Sequence, residues 1–189
     1  MADRIYLSCW LRGFTAHNML ASFEKLLGRF PFSRLAPEAT LQIHAIDLTQ
    51  APVLEHFFEQ GVDAAEVVRL CREFEHPDSA YRLEANWDLM TFNGGWRLAP
   101  APVAITCFGP LFPSDLGEQI LYDFGFDSPF LPQPGRPGDL APVRSNIRSL
   151  LRLVDDVRAA VPLDKRTLWS ESGASLAGEL ETALRSEIE

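Results

Sequence analysis

Residues 81–89 alternate strictly, with Tyr81, Leu83, Ala85, Trp87 and Leu89 on one side and Arg82, Glu84, Asn86 and Asp88 on the other. A two-residue side-chain period belongs to an extended chain, so the segment predicts a strand with one face in a core and the other turned outward. Phe92 then leads through Asn93-Gly94-Gly95 to Trp96. Asn and Gly accept the positive φ that tight hairpin turns demand, and the flanking aromatics can pair across the strands. The middle of the chain therefore reads as an antiparallel hairpin, and the remaining segments must cover its apolar face.

Upstream, Ile5, Leu7, Cys9 and Leu11 alternate with Tyr6, Ser8 and Trp10, which predicts a strand over Arg4–Leu11 set well inside a sheet. Thr15 is placed to cap a helix carrying Met19, Leu20, Phe23, Leu26, Leu27 and Phe30 at helical spacing, and Pro31 ends it. Leu41, Ile43 and Ala45 give a second strand. If these two strands share a sheet through the intervening helix, they are expected to run parallel. Residues 52–60 read as a short helix from Val53, Leu54, Phe57 and Phe58. Asp63 with Glu66 resembles a capping box that opens a helix with Ala64, Val67, Val68, Cys71 and Phe74 on its apolar face.

Downstream of the turn, Pro100 and Pro102 cannot donate ladder hydrogen bonds, which predicts an edge, a bulge or a break there. Val103–Phe108 and Glu118–Phe126 read as further strands. The proline-rich stretch 127–142 resists regular structure, with Phe130 and Leu131 expected to pin it to the body. Val143, Ile147, Leu150, Leu151, Val154, Val157 and Val161 form the stripe of a long helix, and a last helix is expected from Ser172 or Ser175 through Leu176, Leu180 and Leu184. The fold class is α+β: a single domain over 1–189 with a mixed, largely antiparallel sheet of about five or six strands and helices mainly on one face.

Charge narrows the functional classes. The net charge is −9, and residues 45–128 hold 14 acidic against 4 basic side chains. Such a surface repels phosphate backbones and anionic lipid, so neither nucleic acid nor a membrane is expected as a partner, whereas a basic protein is. With no apolar run long enough to span a bilayer and no signal-like start, a cytoplasmic protein is expected. Cys9, Cys71 and Cys107 lack metal or redox spacing and read as reduced core thiols.

The outward face of the central strand is the leading candidate site: Arg82, Glu84, Asn86 and Asp88, joined across neighbouring strands by Asp123 and Thr106. Converging carboxylates beside an arginine can bind a ligand, or exchange protons if an apolar wall shifts one of them. The plain reading is a face shown to water, since alternation alone puts polar residues there. Phe92 and Trp96 at the hairpin tip are candidate exposed anchors for a partner. The arginines Arg144, Arg148 and Arg152 line one side of the long helix, as a grip for an anion or as a solvated face. His56 with Glu59, and Cys71 with His76, do not complete a zinc pattern, so no metal is expected. No glycine-rich phosphate loop or serine elbow is present, and no cofactor is expected.

Three functions follow from these readings. The first is a non-catalytic protein-interaction module with an acidic surface. The second is a small-molecule binder or enzyme using the strand face, with Glu84 or Asp88 as base and Arg82 as anion anchor. The third is a homodimer or larger self-associating subunit.

Overall fold

The structure, a computed structural model, describes residues 3–132 and 140–171 and, nearer the C-terminus, Leu176, Gly178 and Leu180. In chain order it comprises β1 (Arg4–Leu11), α1 (Met19–Leu27), β2 (Ala39–Ala45), β3 (Leu54–Phe58), α2 (Ala64–Arg72), β4 (Ser79–Phe92), β5 (Trp96–Phe108), β6 (Ile120–Phe126), α3 (Ala141–Ala160) and β7 (Leu163–Ser170). The strands make one seven-stranded sheet in the order β3-β2-β4-β5-β6-β1-β7. Every neighbouring pair is antiparallel.

The sheet is thus antiparallel throughout rather than mixed, and it has two more edge strands than the alternation revealed. Residues 54–58 form β3 and not a helix. Their apolar spacing suits either period over so short a run, and pairing with β2 from Ala39↔Phe58 to Ile43↔Leu54 decides it. Leu163–Ser170 is polar on both sides and gives no periodic signal, yet it pairs with β1 along its length. The strands β1 and β2 do run in the same sense. They are not neighbours, because β4, β5 and β6 arrive later in the chain and insert between them.

One cluster of buried side chains forms the core. It unites Ile5, Leu7 and Cys9 of β1, Tyr81, Leu83, Trp87 and Leu89 of β4, and the apolar stripes of the three helices. The expected α1 residues Met19, Leu20, Phe23, Leu26, Leu27 and Phe30 are all buried. Its N-cap position is Asn18 rather than Thr15, with Asn18 Oδ1 accepting from the Thr15 N–H at 2.8 Å. In α2 the Asp63 carboxylate accepts from the N–H groups of Ala65 and Glu66, as the sequence predicts, but Phe74 lies past the helix end and is 38% exposed. On α3, Leu153 takes the core place expected of Leu151. Arg144 is buried, while Arg148 and Arg152 are exposed, so the three arginines do not share one solvated face.

Trp87 anchors the middle of the core, with Phe30, Phe124 and Phe130 at ring-centroid distances of 5.6, 5.8 and 6.1 Å. Phe130 is fully buried and so pins the start of the proline-rich stretch. The rest of that stretch over 133–139 lies outside the described residues, as do Leu184 and most of the expected last helix. Leu176 and Leu180 are helical and buried in the core cluster.

Candidate functional site

The long hairpin of β4 and β5 outruns its neighbours, and its free edges are handled differently on the two sides. Beyond Glu84 the β2 pairing has ended, so the outer backbone groups of β4 need other partners. Ser33 supplies its N–H to the Asn86 carbonyl at 2.8 Å. Further along, Asn146 of α3 donates to the Met90 carbonyl at 2.8 Å and accepts from the Met90 N–H at 2.9 Å. This edge of β4 is closed.

The outer edge of β5 is open. Pairing with β6 covers only Ala104–Cys107. Because the Asn86 carbonyl points toward Ser33, its opposite residue Pro102 sits in a non-hydrogen-bonded pair with β4, and Pro100 opposite Asp88 does the same. Both ring nitrogens therefore face the place where β6 would continue, and neither can donate to it. The strand stays unbroken through both prolines; the interruption falls on its partner. At Gly125, φ is +72°, a conformation that glycine takes without strain, and β6 turns away there with the Gly125 N–H bonded to Asp123 Oδ1 at 3.0 Å.

The separation of β6 from β5 opens a cleft of about 500 Å³. Arg4, Arg82, Glu84 and Asp123 line it together with Pro100, Pro102, Phe124 and Phe126. Arg4 Nη2 donates to Asp123 Oδ2 at 2.6 Å, with side-chain exposures of 37% and 13%. That hydrogen bond, working against the desolvation of the guanidinium, holds the Arg4 pKa above its ordinary value. The same guanidinium lies 5.5 Å from the centroid of the Phe126 ring. Arg82 Nε donates to Glu84 Oε1 at 3.0 Å, and their exposures are 26% and 47%. The cleft thus contains two arginine–carboxylate pairs, and the exposed β5 edge adds the carbonyls of Pro100 and Pro102 with no N–H beside them. Hydrogen-bond acceptors are in excess along that wall.

Of the residues that alternation nominates, Arg82, Glu84 and Asp123 converge on the cleft. Asn86 and Asp88 do not. Asp88 accepts from the Ser33 hydroxyl through one oxygen and from the Arg34 N–H through the other at 2.9 Å, while Asn86 Nδ2 donates to the Ala36 carbonyl at 3.4 Å. The pair holds the 33–36 loop that follows α1. Thr106 is buried opposite Arg82, away from the cleft. Arg4 is the member that alternation misses, because its place beside Asp123 follows from the pairing of β1 with β6, which are separated by most of the chain.

Phe92 and Trp96 meet edge to face with centroids 5.5 Å apart, and both are half-buried rather than free at the tip. His56 lies on a strand with its ring against Phe58, so helical spacing from Glu59 does not apply. Among the described residues no group of three His, Cys, Asp or Glu side chains is placed to hold a metal ion. Burial pushes the thiols of Cys9 and Cys71 up to about 12 and that of Cys107 higher still, which removes all three as thiolate nucleophiles near neutral pH. No described helix is long and apolar enough to cross a membrane.

The acidic side chains of residues 45–128 are dispersed rather than gathered on the sheet. Asp63 caps α2, Asp47 accepts from the Thr49 N–H, Glu118 from the Leu116 N–H, and Glu73 pairs with Arg69. Comparison of the chain with protein-family models, with characterised proteins and with solved structures finds no match.

Proposed function

We propose that the protein is a non-catalytic interaction module that receives a basic side chain of a partner protein in the cleft between β5 and β6. The observation that carries this reading is the acceptor-rich wall. Glu84, Asp123 and the carbonyls of Pro100 and Pro102 stand together beside the apolar surface of Phe124 and Phe126. A guanidinium or ammonium group brings the donors that this wall lacks, and its aliphatic stem suits the aromatic rings. The net charge of −9 favours approach of such a partner over long range. An extended peptide adding as a strand to β5 is disfavoured, because the two prolines offer it no N–H.

A second reading rests on the same cleft. Its volume falls in the range of small-molecule sites, and an amine or zwitterion carries the chemistry that two arginine–carboxylate pairs match. Binding is favoured over proton transfer because each carboxylate already engages an arginine, Asp123 with Arg4 and Glu84 with Arg82.

Calorimetric titration with a short arginine–alanine peptide and its glutamate–alanine counterpart tests the proposal. The arginine peptide is expected to bind and the glutamate peptide not to, with Glu84→Gln weakening the former by about tenfold. Equal affinity for both peptides, or an affinity indifferent to Glu84→Gln, would overturn it.

A further inference from the structure

A second concave surface lies at another place on the molecule, where the end of β1, the start of β7 and the end of α3 meet. It is a cavity of about 380 Å³ lined by Arg12, Arg158, Lys165 and Arg166, with Asp164 the single carboxylate among its lining residues. Four cations around one anion stand out in a chain with 26 acidic and 17 basic side chains.

Structural roles account for part of this cluster. Arg158 sits in the last turn of α3, where a cation is favoured by the helix dipole. Arg12 Nε donates to Asp164 Oδ1 at 2.8 Å, and Arg166 reaches Asp155 of α3 at 3.6 Å. Lys165 places its ammonium 4.4 Å from the centroid of the Trp10 ring. These contacts leave an imbalance. Neither Arg158 nor Lys165 has an ion pair among the described residues, and Arg12 uses only its Nε, so its two terminal nitrogens keep their donors. Helix-end compensation explains one cation, and the other three come from β1 and β7.

We infer that this cavity is a binding site for a phosphate-class anion, held by Arg158 and Lys165 with Arg12 at its mouth. Arginine presents paired donors matched to phosphate oxygens, and lysine adds a compact charge. The net negative charge of the protein does not prevent this. At physiological ionic strength the Debye length is about 8 Å, so an anion inside the cavity feels the surrounding cations while distant carboxylates are largely screened. The site shares no lining residue with the cleft between β5 and β6 and stands independently of it.

The test is titration of the whole protein with inorganic phosphate, followed by amide and indole resonances in heteronuclear NMR spectra. Saturable shifts are expected at Arg12, Leu163 and the Trp10 indole, as Lys165 exchanges the ring for the anion. In the double variant Arg158→Glu/Lys165→Glu the dissociation constant is expected to rise by at least about tenfold. Arg97→Glu, an equal change of charge outside the cavity, is expected to leave it within about twofold, a margin set by Debye screening of exposed charges. Co-sedimentation with phosphatidylcholine vesicles, with and without phosphatidylserine, separates the two sources of the anion. Phosphate binding without vesicle binding assigns a soluble ligand; phosphate binding with phosphatidylserine-dependent sedimentation assigns a lipid headgroup. Shifts that do not saturate, or that weaken equally in the Arg97→Glu protein, overturn the inference. Vesicle binding without saturable phosphate binding overturns it as well.

Discussion

Arg82 and Glu84 share a strand and a face with Asn86 and Asp88, yet the two pairs do different work. The first pair lies where β5 and β6 part and lines an open cleft. The second lies where β4 has lost β2, and its polar groups tie down the 33–36 loop. Alternation reports only which face a residue occupies. What stands over that face depends on where each neighbouring strand stops, and β2 and β6 stop at different heights along the hairpin.

Substitutions at the four positions and at the point where β6 turns away should break this symmetry in a graded way. Asp88→Ala is expected to cost the most, about 2–3 kcal/mol in urea denaturation, because a carboxylate accepting from a hydroxyl and a backbone N–H is lost. Affinity for the arginine peptide should be unchanged in that variant, and a matching loss of affinity would mean the loop and the cleft are one unit. Gly125→Ala should cost about 1–2 kcal/mol, the penalty for a Cβ at positive φ. Since Gly125 also sets where β6 leaves β5, the same variant should weaken peptide binding. Retained affinity would show that the cleft does not depend on that turn.

Smaller effects complete the series. Asn86→Ala removes one long hydrogen bond at 3.4 Å and should cost about 0.5–1 kcal/mol in the same denaturation experiment. Arg82→Ala and Glu84→Gln should each change stability by less than about 0.5 kcal/mol, as expected of a partly exposed ion pair. Calorimetry should register these two in binding instead. A stability loss at Glu84 comparable to that at Asp88 would erase the distinction between the pairs.

The legible parts of the molecule are those whose burial is periodic. The stripes of α1 and α3, the Asp63 cap of α2 and the odd-numbered residues of β4 all lie where their spacing puts them, because each buries one face against the same core. Edge strands escape this logic. The strand β7 has polar side chains on both faces, and β3 is too short to separate a two-residue period from a helical one. Asn146, buried between α3 and the end of β4, carries no signal in its own neighbourhood that it bonds Met90 and the Pro129 carbonyl. The prolines of β5 mark an edge in the sequence. They do not say that the strand continues or that the missing partner is β6.

By itself the sequence determined a hairpin with an apolar and a polar face, helices with matching apolar stripes, and Arg82, Glu84, Asn86 and Asp88 on one side of one strand. These are local matters, set by side-chain period, turn chemistry and capping within a few residues. Tertiary structure alone decided that β1 would sit beside β6 and bring Arg4 to Asp123, and that β6 would leave β5 at Gly125. It also decided that Asp88 would face a loop rather than a cleft. Strand order and strand ends follow from how the whole core closes, and backbone groups left without one partner must find another wherever that closure places them.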